Sequence, residues 1–423
     1  MNTQRLRIIV TGLIAQHPQL GGVAWDYLQY PLGLHRLGHD VYYIEDSGEW
    51  PYTVDGGPSG NDWIARDPSV NARHLKDVME RFGLGDRWAY RFPIEPKWFG
   101  LTDARRRQIV RSADLVINVS GSLKRPWEYR AARRLAYIDS DPTFTQIKLA
   151  LPKGQTRLKK RVAAHDVHFS FGERLADTAV PGELNWRPTR QPIVLEEWRP
   201  ERPAGTRYTT VMSWTSYRPL KFQGEYYAQK DVEFRKFMEL PSRVAIPLEV
   251  AMNETRHVNW EHNGSPGPDD GADRRAQPRS TRDLLEAAGW RFADARAVGA
   301  TVDTYRNYIE GSRGEWSVAK NGYARGQSGW FSCRSACYLA AGRPVVVQDT
   351  GFSSIIPTGR GLFAFSSLEE AAAALTEVER DYESHATAAR DLASAYFAAP
   401  EVLSTLIESA MNPEAEETRT VNA

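Results

Sequence analysis

At 423 residues the chain is too long for one compact core and predicts two or three domains. Its 41% hydrophobic and 25% charged residues match a globular protein, and a net charge of +1 supplies no basic field for nucleic acid. No run approaches the ~20 apolar residues of a membrane span, and Met1 to Arg7 lead into a strand without a signal-peptide hydrophobic region, so the expected location is the cytoplasm.

Leu6 to Thr11 read as a first buried strand. A loop from Gly12 to Ala24 follows, and its Gly21-Gly22 pair would let the backbone approach a ligand closely. Trp25 to Leu37 have helical spacing, with a kink expected at Pro31. Val41 to Ile44 form the second strand, ending in Glu45-Asp46. Asp26 and His17 are residue types that serve as general bases. The alternatives are a first-turn carboxylate stabilising the helix dipole and an exposed loop histidine. No Gly-x-Gly-x-x-Gly follows the first strand, which excludes an NAD enzyme.

Ser47 to Arg73 lack periodicity and read as an irregular excursion of the kind that binds acceptors. Helices are expected at Asn71 to Arg81 and Ala104 to Ser112. Leu115 to Val119 form a strand with Ser120 and Gly121 at its C-terminal end, where ligands bind in open α/β sheets. A short helix at Arg130 to Arg134 and a strand at Leu135 to Ile138 lead into Asp139-Ser140-Asp141-Pro142. Those carboxylates allow a metal reading, but the Pro makes a turn the simpler one, and no metal is expected. A basic helix, Leu158 to Ala164, is most simply a solvated face. The Pro/Arg-rich stretch ends in a linker over 196–205, dividing a first domain (1–195) from a second (206–390).

The second half opens with a strand, Tyr208 to Trp214, and a turn-prone stretch containing Arg218 and Lys221. A helix (Asp231 to Met238, with Lys230 beside it) and a strand (Val244 to Met252) precede a polar surface loop, Asn253 to Arg282. Trp290 to Asp294 form a strand and Val302 to Gly311 a helix. Ser332 then caps a helix through Leu339, Gly342 stops it, and Val345 to Val347 are a buried parallel strand. The free N–H groups at that helix start, with Ser332, Arg334, Ser335 and the preceding Lys320, suit a phosphate or diphosphate. The alternative is an ordinary helix–strand unit with a solvated Arg. Asp349, Thr350 and Gly351 sit at the strand's C-terminal end. Cys333 and Cys337, the only cysteines, are four apart and read as small packing residues. Ser366 opens a capping box for Leu368 to Tyr382, Asp391 to Met411 are helical with a break near Pro400, and 412–423 form a polar tail.

Two stretches carry a family resemblance. Leu34 to Val41 (Leu-x-x-Leu-Gly-His-x-Val) resemble the opening of many GT-B glycosyltransferases. Gly329 to Gly351, followed by Gly361-Leu-Phe-Ala-Phe365, resemble their nucleotide-sugar half and, more narrowly, a bacterial family 1/4-like group. In many retaining members a Glu-x7-Glu pattern brackets this helix; here the matching positions are Gly329 and Cys337, with Glu315 a candidate replacement. The resemblance implies an α/β chain of two facing Rossmann-like domains with a cleft between them, and a last helix returning to the first domain. It implies transfer of a sugar from a nucleotide-diphosphate donor, UDP or TDP first, without metal or other cofactor. The diphosphate would meet Ser332, Arg334, Ser335, Lys320, Lys221 and Arg218, and the donor sugar Asp349, Thr350 and Gly351. Residues Ala295 to Thr301 would cradle the nucleobase. The acceptor, a small molecule, glycan or peptide, would lie against Gly21, Gly22, Trp25, Ser120 and Gly121, with Asp26 or His17 as base. A nucleotide-sugar epimerase of the same shape and a non-catalytic sugar or nucleotide binder are the rival readings.

Overall fold

The computed structural model describes residues 5–53, 63–151, 155–180, 182–199, 203–252 and 280–412. Positions 253–279 of the expected polar loop, with His257 and His262, lie outside the described residues, as do linker positions 200–202 and the tail beyond Asn412, while Thr281 and Arg282 at the loop's expected end already belong to a helix capped by Ser280.

The first half builds one eight-stranded sheet from β1 (Arg7–Thr11), β2 (Asp40–Glu45), β3 (Trp88–Phe92), β4 (Lys97–Gly100), β5 (Leu115–Val119), β6 (Arg134–Asp139), β7 (Val167–Ser170) and β8 (Trp186–Pro188). Their order is β4-β3-β2-β1-β5-β6-β7-β8, and every pairing is parallel except β3 with β4. Continuous apolar runs such as Leu-Val-Ile-Asn-Val in β5 are buried throughout, as a sheet covered on both faces requires.

The second half repeats the plan. Its strands are β9 (Tyr208–Val211), a hairpin of β10 (Leu220–Phe222) and β11 (Glu225–Tyr227), then β12 (Leu248–Met252), β13 (Arg291–Asp294), β14 (Gly314–Ser317), β15 (Val345–Gln348) and β16 (Leu362–Phe365). Apart from the hairpin they form a parallel sheet in the order β13-β12-β9-β14-β15-β16. In each sheet the strand order reverses beside the first strand, and a crevice opens at the strands' carboxyl ends at such a switch point.

Three local expectations shift. The first helix spans Gly21–Arg36, so the glycine pair is its first turn rather than a loop, and Asp26 lies in the second turn. That position removes the first-turn dipole explanation of Asp26. The helix expected at Arg130 to Arg134 is a 3-10 turn at Pro126–Tyr129, because Arg134 is drawn into β6 opposite Leu115. Ser367, not Ser366, caps Leu368–Arg380 by accepting from the Glu370 N–H at 3.1 Å.

The two halves share packing at both ends of the crevice. A Cβ on Gly21 would lie 2.1 Å from the Thr301 carbonyl oxygen, so only glycine lets the first helix abut the second domain there. Trp25 donates its Nε1–H to the Val302 carbonyl at 2.9 Å. The last helix, Ala399–Met411, lies on the first one, where Gly33 admits Leu403: a Cβ at Gly33 would be 2.6 Å from Leu403 Cδ1. The chain enters that helix through a bridge in which the Ala399 N–H donates to the Ile193 carbonyl.

Candidate active site

Loops from the carboxyl ends of β1, β5, β6 and β7 on one side, and of β9, β13 and β14 on the other, enclose a cavity of about 780 Å³. Among the sequence-predicted residues it brings together His17, Gly22, Asp26, Ser120, Lys320, Ser332 and Arg334.

The first-domain wall is built on a buried carboxylate. Glu45, at the end of β2, accepts from the Ala15 N–H at 2.8 Å, the Gln16 N–H at 2.7 Å and the Tyr43 hydroxyl at 2.8 Å. Burial raises its pKa to about 7 against these hydrogen bonds. The loop so held presents His17, which stacks on Tyr52 with ring centroids 5.0 Å apart. Burial lowers the His17 pKa to about 4, so the imidazole is neutral at pH 7. Asp26 projects into the cavity one helical turn past Gly22. Burial raises its pKa to about 7, and the Arg334 guanidinium holds it from rising further. A carboxylate poised at neutral pH inside a cleft is suited to exchange a proton there.

The second-domain wall carries cations, and their roles differ from the sequence expectation. Arg334 is anchored by three of its five donors: Nε donates to Glu315 Oε1, one Nη to the Val211 carbonyl and the other to Ser317 Oγ, each at 2.6 Å. It ties β9 to β14 and lends charge to the cavity, with one N–H on each Nη beyond these three bonds. Glu315 is wholly buried, pairs with Arg334 and is not among the residues that line the cavity. Lys320 donates to Asp141 Oδ1 at 2.9 Å and the Tyr217 hydroxyl at 3.2 Å. Its ammonium lies within 5.3 Å of the ring centroids of Phe144, Tyr217 and Tyr323. Arg218 and Lys221 do not line the cavity; both are exposed, and the β10–β11 hairpin carries Lys221 to the Tyr226 ring, 5.3 Å away.

The cation the sequence did not single out is Lys230. It lines the cavity, is half-buried, and has no hydrogen-bond or ion-pair partner among the described residues. Burial pushes its pKa well below the usual lysine range; neighbouring Arg334 and Lys320 add to this, and Glu315 opposes it. Lys230 follows the hairpin that diverts Lys221, a reversal that lysine spacing does not encode.

Ser332 is the N-cap of the helix Cys333–Ala340 with no side-chain cap hydrogen bond among the described residues, and Ser332, Cys333 and Arg334 of that helix start line the cavity. Ser335 and Thr350 lie behind it, on a small side pocket. Asp349 and Gly351 do not reach the cavity, because the Asp349 carboxylate closes its own turn on the Gly351 N–H at 2.9 Å and the Ser353 hydroxyl at 2.6 Å. Trp25 is buried between domains rather than offered to an acceptor, and Gly21 is packed beside it. Ser120 lines the cavity and hydrogen-bonds the Ser140 hydroxyl at 2.7 Å, whereas Gly121 packs on Tyr137 outside it. Ala295 and Gly299, on the stretch expected at a nucleobase, also line the cavity. Asp139 is consumed by Thr145, Gln146 and Ser170, and among the described residues no group of three or more His, Cys, Asp or Glu could hold a metal ion. Among those residues no helix is long and apolar enough to cross a membrane.

No protein-family model matches the chain, and no curated protein matches its sequence. Solved structures do. Sucrose-phosphate synthase from Thermosynechococcus elongatus aligns at a TM-score of 0.50 and 12% identity, over 96% of this chain and 98% of that one. Alr3699/HepE of Anabaena, solved with UDP-glucose, aligns at 0.55 and 12%, over 96% and 99%. An α-glucosyltransferase solved with UDP and a 13-mer DNA containing a HMU base aligns at 0.57 and 10%, also over 96% and 99%. Near-complete coverage of both chains, joined to the two facing parallel sheets and the cavity between them, identifies the architecture: this chain has the GT-B fold of the glycosyltransferases it resembles.

Proposed function

We propose that the protein transfers a glycosyl group from a nucleoside-diphosphate sugar to a nucleophilic acceptor, with a hydroxyl as the first candidate. The observation that carries this reading is Lys230, a cavity cation without a partner among the described residues, beside the open start of the helix Cys333–Ala340. A diphosphate would supply the missing counter-charge, favour the protonated form of Lys230 and accept from the free N–H groups. As the bond from the anomeric carbon to the diphosphate oxygen breaks, these groups stabilise the departing charge in place of a divalent cation. The acceptor would lie against the first-domain wall. Its hydroxyl proton would pass to Asp26 as the oxygen bonds the anomeric carbon, chemistry that suits inversion. UDP is the first nucleotide to test, since fold neighbours were solved with it.

The test is calorimetric binding of UDP, TDP, GDP and ADP, with and without magnesium, to the wild type and Lys230→Ala. One diphosphate should bind, at least tenfold more weakly to the variant and indifferently to magnesium. Binding of none would sink the reading.

A further inference from the structure

We infer that a small side pocket off the main cavity is a hydroxyl subsite for the transferred sugar, with Trp330 and Ser335 as its specificity-determining walls; this rests on the glycosyltransferase reading. The pocket has a volume of about 20 Å³, room for a single water-sized group. Trp330, Ser332 and Arg334 line both it and the main cavity, so the two spaces adjoin at the start of the helix Cys333–Ala340.

Most of the pocket's polar groups are already satisfied. Ser317 Oγ accepts from Arg334 and donates to the Val318 carbonyl. Gln348 accepts from the Ala319 N–H and donates to Glu233. The Thr350 hydroxyl donates to the Trp330 carbonyl. Two of its buried groups remain: Trp330 Nε1 and Ser335 Oγ are shut off from solvent and have no hydrogen-bond partner among the described residues. Ser335 is 1% exposed. The Trp330 ring is fixed by stacking on Tyr323, centroids 4.1 Å apart, so its N–H cannot swing out to water.

Leaving such groups unmade is costly, and one oxygen atom can satisfy both. Indole N–H only donates, whereas a serine hydroxyl donates or accepts. The matching ligand group therefore accepts from Trp330 while exchanging a hydrogen bond with Ser335. A hydroxyl does this in the available volume. A carboxylate or phosphate, with several oxygens on one centre, is too large. A diphosphate at the helix start would leave the sugar it carries at the mouth of this pocket.

The test compares the nucleoside diphosphate that binds, among UDP, TDP, GDP and ADP, with its glucose conjugate and the 2-, 3-, 4- and 6-deoxyglucose conjugates. The proteins are wild type, Trp330→Phe and Ser335→Ala, with thermal melts confirming that each folds. Both variants should bind the free diphosphate like wild type and the glucose conjugate about tenfold more weakly, the worth of a hydrogen bond of this kind. One deoxy conjugate should be equally weak on wild type and indifferent to the substitutions. Variants that bind the glucose conjugate as wild type does, or that weaken every deoxy conjugate alike, would show a resident water only and overturn the subsite. Failure of every free diphosphate to bind wild type would instead remove the reading beneath it.

Discussion

Lys320 Nζ lies 2.9 Å from Asp141 Oδ1, and the pair joins the two domains across the cavity. Asp141 also receives the Tyr217 hydroxyl at 2.7 Å and the Tyr323 hydroxyl. Burial alone would raise its pKa, but Lys320, Lys148 and these hydroxyls together hold it below the usual aspartate value. Its contribution to stability is therefore present above the unfolded pKa and is lost as pH falls through the folded one. Asp141→Asn should lower stability at pH 7 by about 1–2 kcal/mol and flatten the acid limb of the melting profile. With Lys320 released, it should also raise affinity for the diphosphate. Thermal melts from pH 3 to 8 and calorimetry check both outcomes; an unchanged acid limb would dissociate Asp141 from the domain contact.

The identity of the base is decided by pH. Asp26 has a pKa raised to about 7 and His17 one lowered to about 4, both chiefly by burial. A base must be unprotonated, so kcat/KM should rise with pH to a plateau with a midpoint near 7 for Asp26, or near 4 for His17. We expect the former, with Asp26→Asn lowering kcat by roughly 10²–10⁴ and His17→Ala preserving the limb.

The same shift predicts a stability gain on removing Asp26. A carboxyl whose folded pKa exceeds its unfolded value binds more protons in the native state, so stability falls as pH rises from about 4 through 7. Asp26→Asn should melt with wild type near pH 4 and above it at pH 8, by about 2 kcal/mol. A variant less stable at pH 8 would contradict the burial of that charge.

Glu45→Ala should act at a distance from the chemistry. It orphans the Ala15 and Gln16 N–H groups and the Tyr43 hydroxyl, costing about 3 kcal/mol, and frees the loop that carries His17. Melting temperature and activity should fall together, while Lys230-dependent diphosphate binding persists.

Leu403→Ala empties a wholly buried site between the last and first helices. The expected loss is about 3 kcal/mol with the cavity's ligand affinity retained at low temperature. A loss below 1 kcal/mol would show that the contact is loose.

What could be read in advance follows how local each signal is. The apolar runs of β1, β5 and β15 announce buried parallel strands, and the residues just past strand ends, such as Ser120 and Lys320, are cavity residues by topology alone. Asp26 follows from the same logic, although the helix starts earlier than Trp25 suggests. The anchoring of Arg334 is not legible because its partner, Glu315, sits on β14, and nothing near position 334 announces that ion pair. Lys221 and Lys230 are both lysines shortly after β9, but the hairpin that carries Lys221 holds it at the surface and leaves Lys230, which follows it, in the cavity. Trp25 has the aromatic character of an acceptor platform, but only the packed helix pair reveals that it is core. Asp349 resembles a sugar ligand until its turn is seen to close on it.

The docking of Ala399–Met411 on Gly21–Arg36 sets the order in which the protein can be finished. The groove around Gly33 and Val194 stays open to water while the ribosome is still adding the second domain, because its cover follows that domain in the chain. The first domain therefore completes its core only after the second has been made, exposing that surface to chaperones and to other nascent chains in the meantime. Shortening the chain before residue 399 would then damage not the nearby second domain but the one made first.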